Sequence, residues 1–243
     1  MAAPTLWPER NAVVTGASGG IGRAIALELG RRDFLVHLVG RDRSRLDETA
    51  AQIGNSGQAR CYAADLGDAA ELSTLANQLA EVLEGLDLLV HSAGAFVSGR
   101  FETLPVQDFD RLYSVNVRAP YIVTQRLLPH LRRRSGQVVF INSSAALQPS
   151  PMNAAYAASK RALCALAEAL RAEVNADDVR VLSVFPGRTA TQMQEDIHLR
   201  EGKTYVPANL LQPDDIATAV LNAIELPRTA ELTDLNIRPM RKH

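Results

Sequence analysis

The chain has 243 residues, 47% of them hydrophobic and 22% charged, which is enough apolar material for one well-cored domain. A formal net charge of −1 excludes a global basic field for nucleic acid or an anionic membrane surface. The two cysteines, Cys61 and Cys164, have neither metal-type nor disulfide-framework spacing, and no apolar run is long enough to span a bilayer. The start of the chain lacks the apolar core of a signal peptide, so the expectation is a reduced, cytoplasmic protein with no metal site.

Short apolar runs alternate with longer helical patterns along the whole chain. The first strand, Ala12–Thr15, runs straight into Thr15-Gly16-Ala17-Ser18-Gly19-Gly20-Ile21-Gly22, and a helix pattern follows over Gly20–Arg31. Glycines there allow a tight turn and a close backbone approach. A helix N-terminus offers free N–H groups to a pyrophosphate, so this is the context of a dinucleotide-binding loop. The second strand, Phe34–Val39, is followed by Gly40 and Arg41. NAD sites often place a carboxylate here, whereas a guanidinium pairs with the 2′-phosphate of NADP. Asp42 offers the opposing NAD reading, and Arg43 and Arg45 add positive potential. The expected cofactor is NADP(H), with NAD(H) as the weaker alternative.

A helix over Ser44–Ile53, a strand at Ala59–Ala63, a helix over Ala69–Glu84 and a strand at Leu86–His91 come next. The pattern Val106–Leu131 reads as one long helix kinked at Pro120, with Arg132-Arg133-Arg134 at its end, where cations suit the helix dipole. After the strand Gln137–Asn142, the helix Met152–Asn175 places Tyr156 and Lys160 one turn apart on one face. The chain has only three lysines. A cation beside a phenol favours its ionised form, so the pair can act in proton transfer. The strand Val179–Phe185, the break Pro186-Gly187, a polar irregular stretch Gln192–Asn209, the helix Pro213–Glu225 and a strand near Thr233–Ile237 complete the chain. The stretch 192–209 reads as a surface excursion or a mobile flap over a substrate. Strands this apolar indicate a mostly parallel, doubly wound seven-stranded sheet with helices on both faces, as a single α/β domain over 1–243. Ligands of such sheets bind beyond the carboxyl ends of the strands.

Seven pieces now stand in order: Thr15–Gly22, Asp65-Leu66, His91-Ser92-Ala93-Gly94, Asn116, Ser143, Tyr156-x-x-x-Lys160 and Pro186-Gly187-x-x-x-Thr191. In this order and spacing the sequence resembles a classical short-chain dehydrogenase/reductase over nearly its whole length. The resemblance implies a Rossmann fold, a nicotinamide cofactor, and hydride transfer between a carbonyl and an alcohol on a small-molecule substrate. It also implies a homodimer or homotetramer. Ser143, thirteen positions before Tyr156, would hydrogen-bond the carbonyl oxygen. Ser144 is its neighbour and would face the other way if the strand continued. Tyr156 would donate the proton, and Lys160 would lower the tyrosine pKa and hold the nicotinamide ribose. Asn116 would support a water in the proton relay, or satisfy backbone groups.

The glycine loop (Gly16, Ser18, Gly19, Gly20, Ile21, Gly22) would hold the pyrophosphate. Asp65 and Leu66 would lie by the adenine, Ser92, Ala93 and Gly94 by the ribose, and Pro186, Gly187, Thr189 and Thr191 by the carboxamide. Asp65 also reads as a turn residue before Asp68, and Thr191 as a helix cap. Two departures stand out. His91-Ser92 replaces the family's frequent Asn-Asn, which leaves backbone contacts there and makes His91 structural. Gly19 stands where some NADP-using members carry a basic residue, so the 2′-phosphate reading rests mainly on Arg41. Phe96, Leu147, Pro149, Met152 and Met193 are candidates for an apolar substrate pocket. The expected activity is that of an NADP-dependent carbonyl reductase. An NAD-linked alcohol or hydroxysteroid dehydrogenase is the nearest rival. A nucleotide-binding regulator without turnover would not need the set Asn116, Ser143, Tyr156 and Lys160.

Overall fold

The computed structural model describes residues 10–54 and 58–240. Seven strands form one parallel sheet: β1 (Arg10–Thr15), β2 (Phe34–Gly40), β3 (Ala59–Ala63), β4 (Leu88–His91), β5 (Gln137–Ile141), β6 (Arg180–Pro186) and β7 (Asp234–Ile237). Their order across the sheet is β3-β2-β1-β4-β5-β6-β7. The winding direction reverses between β1 and β4, and such a switch point opens a crevice at the carboxyl ends of the strands.

Both faces of the central strands are buried, which explains their nearly unbroken apolar sequences, whereas the edge strands β3 and β7 stay partly exposed. Successive side chains point to opposite faces. Val14, Val90, Val139 and Val184 pack with α1 (Gly20–Gly30) and the later helix α8 (Pro213–Ile224). Val13, Leu89, Val138 and Val181 pack on the other face against α3 (Ala69–Val82), α5 (Ala119–Arg134) and α6 (Ala154–Val174). The remaining helices are α2 (Arg43–Ile53), α4 (Val106–Tyr113) and α7 (Gln192–Arg200). Among the described residues, no helix is long and apolar enough to cross a membrane.

Three sequence readings change. The pattern expected as one helix over Val106–Leu131 is two helices joined by a π-helical turn, Ser114–Arg118, and α5 runs on to Arg134. Pro120 has no N–H to give the carbonyl of Asn116, four residues back, so the α-helical ladder fails just before the proline. The helix expected from Met152 starts at Ala154, because Met152 has φ 69° and cannot continue a right-handed helix. The stretch 192–209 is largely regular: Thr191 caps α7 by accepting from the Gln194 N–H, and a 3₁₀ turn follows at Pro207–Asn209.

Met152 makes a stability prediction possible. The other non-glycine residues with positive φ among the described residues are Asp33, Ser135 and Asp178, small polar types suited to left-handed turns. A left-handed residue of methionine type costs about 1–2 kcal/mol. Glycine removes that strain but loses about 0.5–1 kcal/mol through the unfolded chain. Since Met152 is 48% exposed, Met152→Gly should sacrifice little burial. A net gain of about 0.5–1 kcal/mol, or a Tm rise of roughly 1–4 °C, is expected in thermal unfolding. A lower Tm would contradict the strain.

Candidate active site

At the switch point β1 and β4 are stitched together by Thr15. Its buried hydroxyl accepts from the Ser92 and Ala93 N–H groups, each at 3.1 Å, and donates to the Val90 carbonyl at 3.4 Å. The chain then turns into the glycine loop. Gly16 has φ +71°, and a Cβ there would stand 2.7 Å from the Ala93 nitrogen. A Cβ on Gly22 would stand 2.4 Å from the Gly16 carbonyl oxygen. These contacts require glycine at both positions. Helix α1 begins with Gly19 as N-cap, no side-chain cap and no acidic residue in its first turn. Its leading N–H groups therefore face the crevice without a side-chain acceptor, which suits an anion. Ile21 packs sideways against the core. Gly20, at φ +52°, has the Thr191 methyl 3.0 Å from where its Cβ would be.

Beyond β2, Arg41 is exposed and makes no hydrogen bond or ion pair among the described residues. Asp42 does not compete with it for a ribose. Its carboxylate caps α2, accepting from the Arg45 N–H at 3.1 Å. Arg43 is turned away into an ion pair with Asp47 at 2.9 Å. Asp65 builds the turn after β3. Its carboxylate accepts from the Gly67 N–H at 2.8 Å and faces Arg111 at 3.3 Å. The Gly67 bond first, and the nearby cations Arg111 and Arg41, hold its carboxyl below the usual carboxylate range. Leu66 is buried in the core.

The four residues assigned to catalysis come together beyond β4 and β5. Asn116 lies in the π-helical turn and is buried. Its carboxamide accepts from the Ala95 N–H at 2.8 Å and donates to the Ala95 carbonyl and to the Ser159 hydroxyl, each at 3.0 Å. Its side chain thus holds the loop after β4. Ser143 follows the end of β5; its hydroxyl accepts from the Ala145 N–H at 3.2 Å and lies beside the Tyr156 phenol, whose pKa it lowers. The strand does not continue to Ser144. Ser144 opens a 3₁₀ turn and is exposed, so a turn, rather than strand alternation, separates the two serines.

Tyr156 is half-buried on α6, and the ring of Phe96 meets it edge-on at 5.0 Å between centroids. Burial pushes its phenol above the usual range, with the Ser143 bond acting the other way. Lys160 is buried, and its ammonium donates to the Ile141 carbonyl at 3.0 Å. Burial lowers its pKa to about 8. The Lys160 ammonium is tied to the β5 backbone, and the largest influence on the Tyr156 phenol is burial. Gly94 joins the set, since a Cβ there would lie 3.6 Å from Asn116 Oδ1 and 3.7 Å from Lys160 Nζ.

Ser159 lies outside the sequence motifs, and Thr15 opens the glycine motif without revealing its contact with β4. Ser159 bonds back to the Tyr156 carbonyl at 2.7 Å, a habit of helical serines that spacing alone could have suggested. The role of Thr15 depends on β4 lying beside β1 and has no local signal.

On the far side, Gly187 packs against Arg238 and Pro239, and the Thr189 hydroxyl donates to the Gly187 carbonyl at 3.0 Å. Thr191 caps α7 while its methyl flanks Gly20, so it touches the glycine loop from above the last βα junction.

His91 fills a structural role. Its Nε2 bonds the Thr124 hydroxyl at 2.8 Å, and its ring stacks on Phe140 at 5.0 Å. Burial lowers its pKa to about 3, and that of His37 to about 4, from an ordinary 6.5. Between those values and 6.5 the unfolded chain binds protons that the folded chain refuses. Stability should therefore fall as pH drops from 6.5 toward 4. Denaturant titrations across that window should show a shallower fall in His91→Phe than in the wild type, and identical slopes would contradict the assignment.

The comparisons with known proteins agree with this geometry. The family model for the short chain dehydrogenase matches residues 10–202. An uncharacterised oxidoreductase of Staphylococcus epidermidis is 32% identical over 233 residues, covering 96% of this chain and 98% of the relative. An alcohol dehydrogenase from the archaeon Thermococcus sibiricus, complexed with 5-hydroxy-NADP, superposes with a TM-score of 0.86 at 26% identity, covering 97% of this chain and 99% of that one. A 3-ketoacyl-(acyl-carrier-protein) reductase from Brucella melitensis, complexed with NADH, gives a TM-score of 0.82 at 26% identity, covering 94% and 96%. With a parallel sheet of order 3-2-1-4-5-6-7, a glycine cradle at its switch point and a matching family model over most of its length, the chain belongs to the short-chain dehydrogenase family of oxidoreductases.

Proposed function

We propose that this protein is an NADP-dependent carbonyl reductase whose proton donor is Tyr156. The carrying observation is the convergence of Asn116, Ser143, Tyr156 and Lys160 around Gly94, at the strand ends beside the glycine loop. The residues present fit a dinucleotide. Gly16 and Gly22 keep a backbone cradle that a Cβ would fill, and α1 presents an uncapped N-terminus. Gly16, Ser18, Gly19, Gly20, Ile21 and Gly22 would hold the pyrophosphate, with Asp65 and the backbone of Leu66 toward the adenine. Ser92 to Gly94, Tyr156 and Lys160 would meet the nicotinamide ribose, and Pro186, Gly187, Thr189 and Thr191 the carboxamide. The two neighbours hold different cofactors, so the fold does not decide between them. Arg41 supports NADP, because it is a cation after β2 with no hydrogen bond or ion pair among the described residues, and Asp42 is engaged in capping α2.

When bound, the nicotinamide supplies a hydride to the substrate's carbonyl carbon. Ser143 donates a hydrogen bond to the carbonyl oxygen and fixes its position. The Tyr156 phenol gives that oxygen its proton. A phenol raised by burial keeps its proton at neutral pH, as an acid in the reducing direction must. Lys160 places a charge beneath the site from its anchor on Ile141. Asn116 holds Ala95, and through it the loop that carries Phe96 over the phenol.

Exposed Leu147, Met152 and Met193, together with Phe96 and Pro149, support an apolar carbonyl substrate, with segment 192–209 as its cover. The test is NADPH consumption on a panel of apolar ketones and dicarbonyls, with NADH in parallel. Turnover with NADPH that is lost in Tyr156→Phe is expected. Tight cofactor binding with no turnover of any carbonyl or alcohol would favour a nucleotide-binding regulator instead.

An open groove of about 430 Å³ on α4, α5 and α6, lined by Tyr113, Val117, Tyr121 and Leu166 among others, includes none of the four catalytic residues. With Phe109 40% and Tyr121 52% exposed beside it, this face supports a homodimer or homotetramer of the chain. The free thiols Cys61 and Cys164 fit a cytoplasmic setting. A monomeric mass by light scattering at micromolar concentration would contradict the assembly.

A further inference from the structure

The glycine loop carries no cation of its own, because position 19 is glycine. Its backbone does not demand glycine: φ 179° and ψ 174° are extended values open to any residue. The space its missing side chain leaves is filled from another element. A Cβ on Gly19 would stand 2.9 Å from a terminal guanidinium nitrogen of Arg45 and 3.8 Å from its Cζ.

Arg45 lies in the first turn of α2, and its backbone is held on both sides. Its N–H donates to Asp42 at 3.1 Å, and its carbonyl accepts from the Thr49 hydroxyl at 3.0 Å. The same buried hydroxyl lies 3.2 Å from the Ala17 carbonyl, which ties this turn to the glycine loop. Next to it, a Cβ on Gly40 would stand 3.1 Å from the Ser18 hydroxyl oxygen. Ser18, Gly19, Gly40 and the head of Arg45 therefore surround one spot between the loop and the end of β2, where Arg41 begins. The Arg45 guanidinium has no acceptor among the described residues, whereas Arg43, two positions earlier, is paired with Asp47.

We infer that Arg45 is the second cation of the cofactor site, supplied from α2 in place of a basic residue in the loop, and that with Arg41 and the Ser18 hydroxyl it clamps the 2′-phosphate of NADP(H). The inference rests on the NADP reading above and adds the residue that completes it. It divides the arginines after β2 by role: Arg41 and Arg45 face the phosphate, and Arg43 serves α2. It also gives a reason for glycine at 19, since a long side chain there would compete with the guanidinium for the same space.

The test is calorimetric titration of NADPH, NADH and adenosine 2′,5′-bisphosphate, so that no turnover is needed. Arg45 is exposed, and Arg45→Ala should leave the fold intact. Loss of one charge-assisted contact should weaken NADPH and the bisphosphate about ten- to a hundredfold. NADH should change less than about threefold, since it lacks the phosphate that carries the contact. Adding Gly19→Lys to Arg45→Ala returns a cation to the same space from the loop side, and should recover about tenfold or more of the lost NADPH affinity. Unchanged NADPH affinity in Arg45→Ala, with Arg41→Ala still weakened, would overturn the role of Arg45 and leave the NADP reading standing. Equal losses of NADPH and NADH would make Arg45 a structural residue of the loop. No effect of either arginine, with NADH bound as tightly as NADPH, would overturn the cofactor reading and the inference together.

Discussion

Tyr156→Phe is expected to lower kcat by about 10²–10⁴-fold, the usual contribution of a positioned general acid. The substitution removes one oxygen and keeps the ring, so the edge-on contact with Phe96 persists. NADPH affinity should stay within a few-fold of the wild type. The loss should appear in kcat and kcat/KM together, because the proton is needed only as the carbonyl is reduced. Activity within a few-fold of the wild type would remove Tyr156 from the chemistry.

Lys160→Met should be comparably damaging to turnover and also tests the burial of the ammonium. The methionine follows the lysine stem but cannot donate to the Ile141 carbonyl or place a charge beneath the site. In the folded chain the lysine pKa is lowered to about 8 by burial, against 10.5 when exposed. Between those values the unfolded chain binds the proton that the folded chain has released, so this group makes the wild type more stable as pH rises. Below pH 8 it is charged in both states and adds no slope. Wild-type stability should therefore gain on Lys160→Met from pH 8 toward 10.5, in denaturant titrations of both proteins. A constant difference across that window would show that the ammonium is not desolvated. Activity near the wild-type level would confine Lys160 to a structural role.

Much of this architecture is readable in the sequence because the sheet is covered on both sides. Strands such as Val138-Val139-Phe140-Ile141 must be apolar throughout, and their alternation with helical patterns yields the parallel order. Local signals also foretell the α2 ion pair, since Arg43 and Asp47 are four apart, and the capping of α7, since Thr191 precedes Gln194 by three. The polar composition of 192–209 masks the length of the helix that this cap opens.

What could not be read depends on contacts between distant segments. The Lys160 ammonium finds the carbonyl of Ile141 only because α6 crosses the end of β5. Asn116 looks like a helix-interior polar residue until Pro120 breaks the ladder and Ala95 comes within reach. The guanidinium of Arg45 and the empty side of Gly19 are separated by a whole βα unit, and only the fold brings them together.

The most direct measurement follows the hydride itself. NADPH carrying deuterium on the transferred position of its nicotinamide would be incubated with the protein and the best ketone of the panel, and the alcohol analysed by mass spectrometry. One deuterium on the former carbonyl carbon with the wild type, and no labelled alcohol with Tyr156→Phe over the same time, is the predicted result. Saturable NADPH binding with no label transferred to any ketone or dicarbonyl by the wild type would contradict it.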